Sequence, residues 1–276
     1  MAGKDTTGFS RGPAARAGAF LSEWRLSAST PAESFMTVKT RYQLVDILRG
    51  VAIALMVWFH FSWDLWHFGY ADFDFYRDPF WLNLRTLIVS LFLLLVGVSL
   101  VLASQGGMNW PRYFRRLGLL VLFAVAITVV SYFTNPQRVI VFGILHFIAF
   151  ASVVALPFLR YYWLTLFAGI ALVVLDTQFS HPLFNQPWLH WIGLMTHKPV
   201  TEDYVPVIPW LGVVLIGIFI GHSLFRWPAL AFVHRWQSTA PPARFLALAG
   251  RHSLAIYVVH QPLLFGLFAL VGALAG

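Results

Sequence analysis

Three ionisable side chains on one predicted helix are the first candidates for chemistry. In the stretch RYQLVDILRGVAIALMVWFHFSWDLW (residues 41–66), Asp46, Arg49 and His60 fall on one face, because spacings of three and eleven residues are close to one and three helical turns. The rise per residue separates Arg49 from His60 by ~16 Å along the axis. An acid, a guanidinium and an imidazole in register predict a helix that lines a polar cavity.

The composition indicates the environment of this helix. The chain has 276 residues, of which 59% are hydrophobic and 11% charged, whereas soluble domains carry about 25% charged residues. This predicts an all-α, polytopic membrane bundle in a lipid bilayer. The formal charge of +8 is explained by basic cytoplasmic loops, without nucleic acid as a partner. The absence of cysteine excludes disulfide and thiolate chemistry.

The chain divides into a tail and a membrane domain. Residues 1–38 are rich in Ala, Ser, Gly and Thr and predict a flexible tail, within which Met36 could be the start of translation. Residues 39–276 form the predicted transmembrane domain. About seven spans are predicted, at residues 44–64, 82–104, 116–134, 139–159, 162–177, 206–225 and 246–274.

The distribution of charge predicts the topology. Basic residues occupy alternate connections, and such connections face the cytoplasm. This places the N-terminus inside and the C-terminus outside. The basic positions are Lys39, Arg41, Arg112, Arg115, Arg116, Arg160, Arg226, Arg235 and Arg244.

Two further histidines lie within predicted spans. His146 is eight residues into span four, and His260, followed by Gln261, is about 13 residues into span seven. The topology puts both in the outer half, near the depth of His60. Each could be a structural histidine bonded to a neighbouring helix, or the three could line one cavity. A metal site is disfavoured, because no HxxxH pair occurs within a span and no carboxylate is expected at that depth.

Each predicted end of the bundle carries its own candidate pocket. Arg49 and Arg251 lie at or inside cytoplasmic helix ends and suit a phosphorylated ligand. At the outer mouth, Asp203, Tyr204 and Trp210 suit a sugar-like acceptor. For Trp210, an interfacial anchor is the alternative.

Four stretches carry a resemblance to a known family. DILRGVAIALMVWFH resembles the first-helix signature of membrane acyltransferases. FGILHFIAFASVVAL, DYVPVIPWLGVVLIG and GRHSLAIYVVHQPLL are similar to the heparan-alpha-glucosaminide N-acetyltransferase catalytic-domain family, in the same order. The resemblance runs from about residue 40 to 272 and points to bacterial members, which implies a bacterial inner membrane.

The resemblance implies transfer of an acetyl or acyl group from cytoplasmic acyl-CoA to a hydroxyl or amine of a glycan or glycolipid at the outer face. By this resemblance His60 is the general acid/base. The implied roles of the others are CoA binding for Asp46, Arg49 and Arg251, orientation for His146, His260 and Gln261, and acceptor binding for Asp203, Tyr204 and Trp210.

Two questions stay open at this point. Some animal members have asparagine where His60 stands and carry a histidine after the first helix, so His67 is a second catalytic candidate. Direct transfer and a covalent acyl-histidine route are both compatible with this pattern. A transporter or flippase for a lipid-linked or anionic solute is the alternative function, and a homodimer is compatible with the sequence.

Overall fold

The structure, a computed structural model, describes residues 42–275. The predicted tail at 1–38, the start at Met36, and Lys39 and Arg41 lie outside these residues. Within them the chain is helical, with no strand. The α-helices of this part of the chain are α1 (Gln43–His67), α2 (Pro79–Ser104), α3 (Trp110–Thr134), α4 (Ile144–Val154), α5 (Tyr162–Gln178), α6 (Val207–Arg226), α7 (Phe232–Arg235), α8 (Pro241–Arg251) and α9 (Ser253–Ala275).

The predicted polytopic helical fold is confirmed. Five described helices, α1, α2, α3, α6 and α9, are long and apolar enough to cross a membrane. The apolar helices α4 and α5 are shorter. These seven helices correspond in order to the seven predicted spans.

Polar caps set the start of two long helices. The Asp78 side chain accepts a hydrogen bond from the Phe80 amide, so α2 begins at residue 79. The Asn109 side chain accepts one from the Arg112 amide, so α3 begins at residue 110. The predicted starts at 82 and 116 were too late, because hydropathy does not register the polar first turn that a cap stabilises.

The predicted seventh span, 246–274, was wrong in its first turn. Residues 246–251 belong to α8, and α9 begins at Ser253 after a break at His252, whose φ and ψ are −101° and 16°. Two residues before the break, α8 packs closely on α1. A Cβ added at Gly250 would lie 1.8 Å from the Asp46 carbonyl oxygen, so the two backbones touch there.

Glycines allow three further close helix contacts. A Cβ at Gly50 would lie 2.0 Å from the carbonyl oxygen of Leu246 on α8. On α6, a Cβ at Gly217 would lie 2.3 Å from the Leu94 carbonyl oxygen, and one at Gly221 would meet Val101 at 2.9 Å. The small residues therefore bring α1 against α8, and α6 against α2, at backbone contact.

The connection between α5 and α6 consists of two short 3-10 helices, Pro182–Asn185 and Pro187–Ile192, and an extended segment. The extended segment pairs with the chain ahead of α4, because the Val205 amide donates to the Phe142 carbonyl at 3.2 Å. This pairing positions Asp203 at the start of α4.

Candidate active site

A charged cluster occupies the first turns of α1. The buried Asp46 carboxylate accepts hydrogen bonds from Arg49 Nη1 at 3.0 Å and from Arg251 Nε at 3.4 Å. Arg49 also donates to the Ser99 hydroxyl on α2. The structure therefore brings Asp46, Arg49 and Arg251 together, and Asp46 fixes the orientation of both guanidinium groups.

A cleft opens beside this cluster and encloses about 630 Å³, including the part that is open to solvent. Its polar lining comes from Arg49, Ser99, Arg116, Ser253 and Tyr257, and the remaining walls are apolar. Guanidinium and hydroxyl groups on apolar walls suit a ligand that has both phosphate groups and an uncharged chain.

A pair of histidines lies at the contact between α1 and α9. The rings of His60 and His260 meet edge to face, with 4.9 Å between their centroids. His260 is buried, and its Nδ1 lies 2.6 Å from the Tyr257 carbonyl oxygen. Because a carbonyl only accepts, Nδ1 carries the proton and the Nε2 of the neutral ring keeps its lone pair.

A buried carboxylate lies one turn along α1 from His60, although none was expected near the histidines. Asp64 is completely buried, and its Oδ1 accepts a hydrogen bond from Gln261 Nε2 at 2.8 Å. The predicted span ended at residue 64, which assigned Asp64 to the membrane surface, whereas α1 continues to His67. The spacing of four residues between His60 and Asp64 is the signal that could have found it.

His67 was expected beyond the first helix but is its last residue. Its exposed ring stacks on Trp63 at a centroid distance of 4.8 Å. Two full turns separate it from His60. His67 lines a second cleft together with Trp63, Trp66, Tyr76, Asn135, Arg138 and Glu202.

His146 occupies a different contact from the histidine pair. It is the third residue of α4, not the eighth of a span, because residues 139–143 precede the helix. Its Nδ1 accepts from the Gly143 amide at 3.3 Å, which leaves Nε2 to donate to the Thr128 hydroxyl at 3.0 Å. Both ring nitrogens are engaged: Nδ1 caps the start of α4, and Nε2 fastens α4 to α3.

Asp203 caps the same helix. Its Oδ2 accepts from the Ile144 amide at 2.8 Å. Burial raises the pKa of the Asp203 carboxyl, and the hydrogen bond from Ile144 opposes that rise. Burial likewise lowers the pKa of the neighbouring Lys198, again the largest effect on that group.

Tyr204 and Trp210 contact protein groups of the α5–α6 connection and of the core. The Tyr204 hydroxyl donates to the His190 carbonyl at 2.7 Å, and burial raises the pKa of this phenol. Trp210 is half-buried and packs on the main hydrophobic core. The open aromatic cleft lies instead around Trp63, Trp66 and Tyr76, which the sequence analysis did not single out.

Comparison with known protein families gives one match. Residues 41–262 match the family described as heparan-alpha-glucosaminide N-acetyltransferase, catalytic. The chain belongs to this family. Comparisons with curated proteins and with solved structures returned no further match.

Membership of the heparan-alpha-glucosaminide N-acetyltransferase family suggests a membrane acetyltransferase. The matched range contains the charged cluster, both clefts and the His60–His260 pair. In the part of the chain that the structure describes, no group of three or more His, Asp or Glu side chains could hold a metal ion. The chemistry available from these residues is hydrogen bonding and proton transfer.

Proposed function

We propose that the protein is an integral membrane acyltransferase, which passes an acetyl or acyl group from acyl-CoA to a hydroxyl or amine of a glycan acceptor. The observation that carries this proposal is the contact of the half-buried His60 with the buried His260, 4.9 Å between ring centroids. It lies one turn along α9 from a cleft lined by arginines. Family membership supports the same reaction class.

The donor site is the cleft at the start of α1. Arg49 and Arg116 would bind phosphate groups of CoA, and the apolar walls would accommodate the pantetheine arm. Asp46 would keep Arg49 in place, and Arg251 would complete the cluster. Because Tyr257 lines this cleft and its ring lies 5.7 Å from that of His260, a thioester here would be near the histidine pair.

The histidine pair handles the proton. The lone pair of the acceptor oxygen or nitrogen attacks the thioester carbon, and His60 or its partner His260 takes the proton that the nucleophile loses. The C–S bond then breaks, and the CoA thiolate takes the proton back as free CoA leaves. A covalent acyl-histidine route would use the same imidazoles.

The acceptor enters through the second cleft, at the end of α1. Trp63, Trp66 and Tyr76 provide aromatic walls, and Arg138 and Glu202, 3.4 Å apart, provide hydrogen bonds. This combination suits the ring and hydroxyl groups of a sugar. His67 lies in this cleft and would contact the acceptor.

The test is turnover by purified protein in detergent, with acetyl-CoA, a panel of amino and neutral sugars, and free CoA as the readout. We expect His60→Ala to lower turnover by at least about 10²-fold. His197→Ala, in the exposed outer connection, is the control. Turnover unchanged in both His60→Ala and His67→Ala contradicts the proposal, and solute flux into liposomes without acyl donor supports a transporter instead.

The orientation follows from the same proposal. A cytoplasmic donor requires the start of α1 inside and the α5–α6 connection outside, in a bacterial inner membrane. Because the chain has no cysteine, a single introduced thiol is a unique label. Val200→Cys should react with an impermeant maleimide added outside, whereas Gly106→Cys should react only after the membrane is opened.

A further inference from the structure

One buried contact between α1 and α9 has no part in the mechanism above. Gln261 Nε2 donates to Asp64 Oδ1 at 2.8 Å, between residues 197 positions apart. Asp64 has no exposed surface. A carboxylate completely buried in a membrane helix is costly unless it is paired. A hydrogen bond from one neutral amide offsets little of the cost of burying this carboxylate, which suggests that Asp64 has another partner.

Three buried polar atoms at this contact have no hydrogen-bond partner in the described structure: Asp64 Oδ2, His260 Nε2 and Gln261 Oε1. Buried polar atoms of folded proteins are rarely left unpaired. Here the three belong to side chains that adjoin one another, because Gln261 follows His260 and bonds Asp64. The contact therefore offers hydrogen-bonding atoms to a bound group.

The chemistry of these atoms defines what that group must offer. Gln261 Oε1 is an acceptor, because the amide nitrogen faces Asp64. His260 Nε2 is an acceptor in the neutral ring, because Nδ1 donates to the Tyr257 carbonyl. Asp64 Oδ2 is the second oxygen of a carboxylate that already accepts at Oδ1. All three atoms are acceptors, so a ligand that bonds them must supply N–H or O–H groups.

The position of His60 shows that this subsite, formed by the three unpaired atoms, adjoins the site of the proposed reaction. Its ring is against that of His260, and it lies one turn before Asp64 on the same face of α1. A donor group bound between Asp64 and His260 would thus be next to both imidazoles. This is where the nucleophile of the proposed reaction has to lose its proton.

We propose that Asp64 is a further residue of the transfer site. Its free carboxylate oxygen accepts a hydrogen bond from the N–H or O–H groups of the acceptor, and His260 Nε2 receives the transferred proton. Gln261 is a positioning residue that holds the Asp64 carboxylate. The Asp64 carboxylate, which is bonded to the residue that follows His260, favours the positive charge of the resulting imidazolium until the leaving thiolate takes the proton.

This inference rests on the proposed acyl transfer, and a KM-against-kcat comparison tests it. Asp64→Asn keeps the shape of the side chain and removes its charge. We expect kcat to fall about 10- to 100-fold with an unchanged KM for acetyl-CoA, since the donor cleft is not lined by Asp64. Gln261→Leu should show the same pattern more weakly.

Ser62→Ala is the matched control. Ser62 is buried on α1 like Asp64, but its hydroxyl donates to the Trp58 carbonyl of its own helix. We expect it to keep the wild-type kcat. Equal kcat in wild type and Asp64→Asn, or equal losses in Asp64→Asn and Ser62→Ala, would overturn the proposal.

A measurement without turnover separates this subsite from the transferase activity. In protein labelled with ¹⁵N-histidine and reconstituted into proteoliposomes, the NMR signal of His260 Nε2 shows whether its lone pair accepts a hydrogen bond. The signal that is lost in His260→Gln identifies this nitrogen. D-glucosamine, which has both N–H and O–H donors, should shift this signal in wild type and Ser62→Ala but not in Asp64→Asn. If the signal shifts in wild type but wild type releases no CoA, the acyl transfer is contradicted and the binding role of Asp64 is supported. If the signal does not shift in wild type, the binding role of Asp64 is contradicted.

Discussion

Arg251 and Asp46 are 205 residues apart in sequence, yet Arg251 Nε lies 3.4 Å from Asp46 Oδ2 at the crossing of α8 and α1. The same carboxylate bonds Arg49. One buried acid therefore orders two cations from different helices beside the candidate donor cleft.

Removing the charge of Asp46 should affect donor binding and stability together. Asp46→Asn retains the shape but weakens two charge-assisted hydrogen bonds, so we expect a loss of ~1–3 kcal/mol and a higher KM for acetyl-CoA. Arg251→Gln should cost less than about 1 kcal/mol, because 40% of its side chain is exposed. Thermal unfolding in detergent and initial rates check both. An unchanged KM in Asp46→Asn would separate the cluster from the donor site.

The backbone contact between α1 and α8 predicts a strong effect of a single methyl group. Gly250→Ala places Cβ 1.8 Å from the Asp46 carbonyl oxygen, so the helices must separate, at a cost of at least ~1–3 kcal/mol. The control is Gly118→Ala on α3, where a Cβ meets nothing within 4 Å. Thermal unfolding should show a lower midpoint for Gly250→Ala only. Equal midpoints would show that the contact is looser than described.

The buried carboxyl of Asp203 should make the free energy of unfolding depend on pH. Its folded pKa is raised by burial, so the fold favours the protonated carboxyl. Stability should then decline as pH rises from about 4, the unfolded value, through the raised folded pKa, and stay constant above it. Asp203→Asn should lack this part of the decline, because its amide oxygen can still accept from Ile144. Asp203→Ala should be ~1 kcal/mol less stable than Asp203→Asn at all pH values, because it also loses the cap.

The measurement for Asp203 is the unfolding midpoint of the three proteins between pH 4 and 8. The difference between wild type and Asp203→Asn isolates this carboxyl from other titrating groups. A difference that does not change with pH would contradict the assigned shift.

The second cleft predicts a selective effect on the acceptor. Tyr76 is 55% exposed, so Tyr76→Ala should leave the unfolding midpoint nearly unchanged. Loss of an aromatic contact worth ~0.5–1.5 kcal/mol should raise the acceptor KM about 2- to 12-fold. Tyr70→Ala, 52% exposed and outside the cleft, is the control. Equal changes of the acceptor KM in Tyr76→Ala and Tyr70→Ala would show that the acceptor does not bind in this cleft.

The helices could be predicted from the sequence because apolar runs of membrane length are a strong signal. Their ends could not. The caps at Asp78 and Asn109 are polar residues, which a hydropathy profile assigns to loops. The break at His252 comes two residues after the contact of Gly250 with Asp46, a tertiary contact that no local pattern contains.

The candidate site, too, could be predicted only in part from the sequence. Helical periodicity was sufficient to select Arg49 and His60, and topology was sufficient to pair His60 with His260. Asp64 was missed because the first span was ended one turn too early. His146 was placed too far into its helix because residues 139–143 are apolar, whereas the Asp203 cap starts α4 only at Ile144.

Tyr257 has a consequence for how far the acyl group must travel. Its side chain lines the donor cleft, and its carbonyl oxygen holds the His260 ring. One helical turn thus belongs to both sites. In the proposed function, the CoA arm would span the ~16 Å between Arg49 and His60. The thioester would then reach the imidazoles without a movement of the helices, and the bundle would not need to alternate between two open states.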